Sequence, residues 1–558
     1  MAADDQLHRR FLEQLRALED FRISYSGEHP GLPLGRADQD VQRLLEAQAY
    51  FSARTLRMAE RALTRGTRRL FAQHFPYLLA PVPATGLVEA RVDHRFVDPM
   101  VLPAGEELGL VTDEPGLEDT PPPVVVRTTA PFVLRPLTLI GVAFDRPRLR
   151  DGATVEMAFE APHRHRWPIG ALALHVDHLG ELAASAAVFV ALEECLQRIE
   201  VRFDRGPPRP VGARFGPLER AGSGGVGIEH PIERARAFFR TPAQDLFLEL
   251  RLPEPPTEWA RFTVRLHLSD AWPRGLEIGL DTFRLHVVPV VNLRSDLASP
   301  ITVDGTRARH PVVHPDARSG FVPHSVRGVH RSDPAAGLVP LPPGFVPEVP
   351  GEDEPVRWEV DLEGSGGRRQ AILRLASPEA LEEPYRVVVD ARWHQPDRTA
   401  QLPAGATAFL LHRSLEGVGF VTTDALRPSS EASLAVDDEA LLTLLAARSR
   451  RTLGLDDLVS LIAVLRGPGE REFSDIANAL VASEVASVPS AVARGGFRYR
   501  YRLRFDGLGP TGLPRLVLFC RRLQEVLEVW STEEVVELEA SLPQLDLRLS
   551  FKGQEARP

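Results

Sequence analysis

The chain changes texture at Pro81, and that change restricts its fold more than any other feature. Before it, apolar residues recur at spacings of three and four. Leu7, Phe11, Leu15, Leu18 and Phe21 trace one helical stripe over residues 5–22. The run YSGEHPGLPLG then breaks the helix with glycine and proline. Asp38 caps a second helical stretch, roughly 39–75, with Val41, Leu44, Leu45, Gln48 and Phe51 along one side. After Pro81 the chain becomes short β-prone runs punctuated by proline and glycine: GLVEARVDHRF, VVVRTTAPFVL, LTLIGVAF, TVEMAFE and LALHVDHL. The 49 prolines in 558 residues exceed the roughly 5% of an average protein and keep these runs short. The pattern predicts an α+β chain: an N-terminal helical segment, then several β-rich, sandwich-like domains with interspersed helices.

Farther along, a helix is expected over 181–198 and strands over 246–252 and 262–268. The run Phe283 to Leu293 alternates and then meets Pro289, which implies an edge strand or a bulge there. Residues 331–356 carry seven prolines and read as a linker or extended surface strap. β texture returns over 357–398. The stretch 434–466 reads as helical, 497–505 as a strand, 515–529 as a helix, and LDLRLSF as a closing strand. Four segments follow: 1–80 helical, 81–300 β-rich, 301–400 β-rich with the strap, and 401–558 mixed α+β.

The side chains available for chemistry are few. Lys552 is the single lysine, six residues from the end, so the phosphate lysine of a P-loop, the strand lysine of a kinase and a buried Schiff-base lysine all lack a candidate. The arginine bias matches a GC-rich codon supply, and a net charge of −10 argues against nucleic-acid binding. Cys195 and Cys520 lie far apart in apolar surroundings, which predicts buried structural thiols and a reducing compartment. Gly222 to Gly227 matches GxGxxG but lacks a clean preceding strand, so a flexible loop is the expectation. His163 with His165, His175 with His178, and His310 with His314 lack the helical spacing and acidic partner of a zinc site. There is no GxSxG elbow, and no carboxylate pair stands out. Arg54 to Arg69 reads as the solvated side of an amphipathic helix. Leu182 to Leu192 is the longest apolar run, too short for the about 20 residues of a span, and the N-terminus has no apolar signal region. A soluble cytoplasmic protein without cofactor or metal, working through protein partners, is expected.

Against this background a family resemblance emerges. Asp40 to Ala47 with Phe51 to Arg54 resembles the helical xVxRLxEAxAxLxAR pattern of the TssF (ImpG, VasA) family of type VI secretion systems. Leu70 to Pro83 is similar to that family's LLxLLYPHYLxPxP turn, and Leu102 to Leu108 to its xPxGTxL. Val126, Arg127, Thr128 and Thr129, followed by Leu134 to Leu137, resemble FRTxxxVxLxPL. Pro289, Val290, Val291, Asn292 and Leu293 resemble the end of CxPVVNLF, and Arg309 to Val313 is similar to xxYPVVPD. Arg494 to Gly496 and then Leu516 to Trp530 resemble the family's RGxEV strand and its following helix. The chain departs from the family at Arg392 to Arg398, which stands where the family has CTNRDLP. It departs again at Glu439 to Leu445, which lacks the tryptophan of WxLLSHLSLN.

The resemblance implies a baseplate wedge subunit with no catalytic role. Two copies would join one TssG-like subunit, the wedge would bind a TssK-like adaptor, and six wedges would surround the hub and spike at the cytoplasmic face of the inner membrane. It implies neither nucleic acid nor insertion into the membrane. The stripe Val41, Leu44, Leu45 and Phe51 is then a candidate subunit interface; packing within its own domain is the alternative. Arg127, Pro289, Val290, Asn292 and Leu293 are candidate structural positions. Two other readings remain: a wedge protein of a phage-like or extracellular contractile particle, and a cytoplasmic carbohydrate-active enzyme with β-sandwich domains, which needs a carboxylate pair in a cleft.

Overall fold

Apolar spacing builds two long helices first, α1 (Ala2–Glu28) and α2 (Gln39–His74). They belong to a computed structural model that describes residues 2–29, 39–111, 122–146, 152–218, 230–344, 356–363, 369–377, 381, 383–435, 438–448, 450–467, 469–489, 497–531 and 535–552. The chain divides into two compact units, Met1–Pro76 and Tyr77–Pro558.

In the first unit α1 and α2 pack on each other. Leu7, Phe11, Leu15 and Leu18 are half-buried along the expected stripe of α1, while Phe21 is exposed. Ala49 and Ala53 are wholly buried on α2. Arg10 Nη2 donates to Glu60 Oε1 at 2.8 Å and ties the helices together.

The second unit is organised around a closed six-stranded barrel. Its strands run in the order Thr85–Val92, Val287–Val291, Val124–Thr128, Glu107–Val111, Thr407–Leu410 and Val418–Thr422. Alternate residues point inward and fill it: Val88 and Ala90, Leu108 and Leu110, Val124 and Val126, Val288 and Val290, then Ala408, Leu410 and Phe420. Closure removes the free edges that short strands would otherwise expose. The barrel draws its strands from two of the segments that the sequence divides, 81–300 and 401–558, and skips the one between them.

Between barrel strands the chain makes further sheets. One has five strands, centred on Trp259–Leu268 between Leu196–Phe203 and Ala153–His165. A four-stranded sheet carries Phe247–Arg251, Ala171–Val176 and Phe283–Leu285. Residues 294–394 form two sheets over one core of Val303, Val312, Val329, Leu373, Val389 and Trp393. This is the sandwich that the alternation predicts. Of the proline-rich strap, Gly337–Pro340 pairs with residues 330–333, and 345–355 lie outside the described residues.

The last part holds a sheet of Leu480–Pro489, Phe497–Phe505, Val535–Leu542 and Leu547–Lys552. Phe497–Phe505 and Val535–Leu542 are parallel, and the helix Leu513–Trp530 makes the crossover that parallel strands require. Tyr501, Leu503 and Phe505 of the sheet are buried, as are Phe519, Leu523 and Trp530 of the helix. The stretch expected to be helical over 434–466 is two α-helices, Asp438–Arg448 and Leu455–Arg466, because Gly454 interrupts it as the N-cap of the second.

The helix Leu182–Cys195 replaces the apolar run of the sequence and is buried over most of its surface. Cys195 and Cys520 are free and buried, as expected. No helix among the described residues is long and apolar enough to cross a membrane.

Candidate functional site

The candidate interface stripe separates on the structure. Leu44 is 69% exposed and Phe51 60%, whereas Leu45 is half-buried. The side chain of Val41 lies outside the described residues. Met58, which the stripe did not include, is 63% exposed. Leu44, Phe51 and Met58 are spaced by sevens, which keeps them in line with a drift of about 20° per heptad. The buried Ala49 and Ala53 lie roughly 140° and 180° around the helix from Leu44. The three large side chains therefore form a ridge on the face turned away from the buried side. Each would gain about 1.5–3 kcal/mol on full burial. Adjacent residues on a helix are about 100° apart, and here Leu45 is turned partly toward the buried side while Leu44 is exposed. Spacing by sevens, which also finds Met58, is the signal that separates them.

The family-motif positions gather in the second unit, at one side of the barrel. The run Phe283 to Leu293 does break, but at His286 and not at Pro289. His286 has φ 55°, and there the chain leaves the four-stranded sheet and enters the barrel. Pro289 sits inside Val287–Val291, opposite Leu87 on one side. Its carbonyl accepts from Thr129 N–H at 2.9 Å on the other side, so its missing N–H also faces that side. There the ladder with Val124–Thr128 begins only at Val290. Proline is tolerated because it sits at the end of that ladder, where it accepts one bond and need not donate, without a bulge and without an edge strand. Val290 fills the barrel core, and Leu293 packs with Ala237 and Val291.

Asn292 is completely buried beyond the end of this strand. Its Nδ2 donates to Val125 O at 2.7 Å and to Gln395 Oε1 at 3.2 Å. Gln395 Oε1 accepts from Val125 N–H at 2.8 Å, and Gln395 Nε2 donates to Ser319 O at 2.6 Å. Two side-chain amides thus give Val125 the partners that a neighbouring strand would supply. Gln395 lies in the segment where the chain departs from the family pattern, and sequence reasoning did not single it out. A buried glutamine carries no periodic signature; its neighbours Trp393, His394 and Pro396, all buried, are the only local hint.

Arg127 stands opposite Glu107 in the barrel ladder. Its Nε donates to Glu107 Oε1 at 2.8 Å, and its Nη2 contacts the same oxygen. Arg294 Nε lies 3.6 Å from Oε1 and His412 Nε2 lies 3.1 Å from Oε2. Burial pushes the Glu107 carboxyl up, but Arg127, Arg294 and His412 outweigh it and hold the group below its ordinary value. Glu106 and Glu107 line a depression of about 540 Å³ with Gly105, His412 and Arg413. Glu106 is in turn held by Arg413 at 2.7 Å. A glycosidase needs one carboxyl kept protonated near neutral pH, and Glu107 is arranged for the opposite.

The histidine pairs do not assemble. His175 Nε2 meets Ala243 O at 2.8 Å, while His178 Nδ1 meets Thr282 Oγ1 at 3.1 Å. His310 and His314 are each buried, and His314 Nδ1 accepts from Asp316 N–H at 3.1 Å. Among the described residues no group of three or more His, Cys, Asp or Glu side chains is placed to hold a metal ion. The GxGxxG segment 222–227 lies outside the described residues.

The family model described as "Type VI secretion system, TssF" matches residues 28–403. No curated protein matches the sequence. A chain in the cryo-electron microscopy structure of a type VI secretion TssK-TssF-TssG baseplate subcomplex is similar over 93% of this chain and 99% of its own length, with TM-score 0.72 and 16% identity. A chain in a structure of the type VI secretion baseplate complex covers 99% of both, with TM-score 0.56 and 14% identity.

Proposed function

The chain belongs to the TssF family of the type VI secretion system, and we propose that it is a structural wedge subunit of that machine's baseplate and not an enzyme. The observation that carries this reading is the Leu44–Phe51–Met58 ridge, left exposed on a helical hairpin that forms a compact unit of its own. A contiguous apolar ridge on an exposed helix face marks a protein contact. Glu107, the best-placed buried carboxyl, is neutralised by its neighbours and has no proton to offer.

The partners in this reading are TssG-like and TssK-like subunits. Its support is that the similar chain comes from a TssK-TssF-TssG subcomplex. Two copies would join one TssG-like subunit, and the wedges would surround the hub and spike at the cytoplasmic face of the inner membrane.

The test is co-expression of the full chain with its TssG-like neighbour, carrying Leu44→Asp and Phe51→Asp together. Both positions are exposed, so the variant should keep its circular dichroism spectrum while losing co-purification. A folded double variant that binds its neighbour undiminished overturns the assignment of the ridge.

A further inference from the structure

A strained turn in the second unit carries an observation that folding does not explain. Glu181 N–H donates to His178 O at 3.2 Å and closes a tight turn into the helix Leu182–Cys195. Both central residues have positive φ, Leu179 at 58° and Gly180 at 66°. This is the I′ pattern, which Asn-Gly fills with little strain. Leucine suits it poorly, because in left-handed backbone its Cβ crowds the following carbonyl oxygen. The side chain is not compensated by burial either, since Leu179 is 77% exposed.

The turn is held firmly. His178 N–H donates to Ser185 Oγ at 2.8 Å, and Ser185 Oγ donates to Glu181 O at 2.9 Å. Asp177 N–H donates to Thr282 O at 2.9 Å, and His178 Nδ1 meets Thr282 Oγ1. These last bonds join the turn to residues 280–282, where Leu280 is 46% exposed. Glu181 and Asp281, each within two residues of one of the leucines, are exposed, and Asp177 is paired with Arg284 at 2.7 Å. The result is two exposed apolar side chains on hydrogen-bonded segments, each with an exposed carboxylate within two residues.

We propose that Leu179 and Leu280 form a docking knob for a partner protein that offers an apolar pocket rimmed by arginine or lysine. Backbone strain retained without an internal benefit points to a function outside the chain. Exposed apolar side chains on a rigid turn are the anchors that partner pockets take up. The acidic surroundings select a basic rim and repel an acidic one. A second copy of this chain, at net charge −10, is the less complementary occupant. The inference does not depend on the proposed role of α2 or on the baseplate reading.

The experiment places the photo-cross-linking residue p-benzoylphenylalanine at position 179 of the full chain, expressed in its native host cells. The exposed Arg202 serves as the control position. The expected result is one adduct, several-fold stronger from 179 than from 202, mapping to an apolar peptide flanked by arginine or lysine. Leu280→Asp in the same chain should weaken it. The otherwise unmodified Leu179→Asn chain should melt at an equal or higher temperature, since asparagine suits the turn, yet recover less of the same partner. No adduct above the control, an adduct to an acidic peptide or to a second copy, or undiminished recovery by Leu179→Asn overturns the proposal.

Discussion

Asn292 and Gln395 hold each other across the sequence: the backbone N–H of Gln395 donates to Asn292 Oδ1 at 2.6 Å, and Asn292 Nδ2 donates back to Gln395 Oε1 at 3.2 Å. Both are completely buried, and both also bind Val125. The pair fastens the end of the sandwich strand Tyr385–His394 to the barrel strand Val124–Thr128.

Removing either amide leaves Val125 with a buried polar group unmet. Asn292→Ala and Gln395→Ala should each destabilise the second unit by about 1–3 kcal/mol. The double variant should lose less than the sum, because the two share partners. Urea unfolding monitored by tryptophan fluorescence measures this; full additivity would show that the two amides act separately.

The C-terminal crossover helix is pinned by a buried ion pair. Arg522 Nη2 contacts Asp245 Oδ2, and the guanidinium lies 4.9 Å from the Phe238 ring centroid. Asp245→Ala leaves Arg522 short of a partner and should cost on the order of 3 kcal/mol. Arg522→Met with Asp245→Leu should recover part of that loss. Thermal unfolding of the two variants compares them directly.

Four histidines are buried in their neutral form. Burial lowers His175 to about 4; burial and then the nearby Arg135 lower His286 to about 3; burial and then Arg369 lower His394 to about 3. Burial, and then the nearby His394, hold His324 well below its ordinary value too, against the bond to Pro81 O that favours its charged form. In the unfolded chain each takes up a proton near pH 6.5. Stability is therefore full above that pH and falls as pH drops toward the folded values, at up to about 1.4 kcal/mol per pH unit for each histidine. Denaturant midpoints should fall between pH 7.5 and pH 5, and His286→Gln should reduce the slope. A flat profile contradicts the buried, neutral assignment.

Both thiols should be silent in the native protein. Cys195 and Cys520 are buried, and burial pushes the Cys520 thiol up, away from its reactive thiolate. Ellman's reagent should titrate neither in buffer and both in guanidinium. Rapid native labelling of either would show that its surroundings open.

Much of this architecture is legible in the sequence, and the misses have physical causes. The α1 and α2 pair follows from spacing alone, as do alternating runs such as FRYRYRLRF. Barrel closure does not, because it pairs Val88 with Thr422 and Leu110 with Ala408, contacts that no local pattern encodes. Pro289 marks a break that falls three residues earlier, since the deciding feature is where a neighbouring ladder ends. Apolar spacing identifies the face of α2 that carries Leu44 and Phe51, but hydrophobicity alone does not say whether the chain or a partner covers it. Gln395 is invisible for a related reason: a polar side chain becomes structural only once its partners converge.

The central claim is that this chain is built to be assembled. The most direct measurement is the native mass of the full chain, 61.6 kDa, co-expressed with its TssG-like neighbour. The account predicts one complex with two copies of this chain and one of the neighbour. A chain that stays monomeric at its own mass and binds no such neighbour contradicts it.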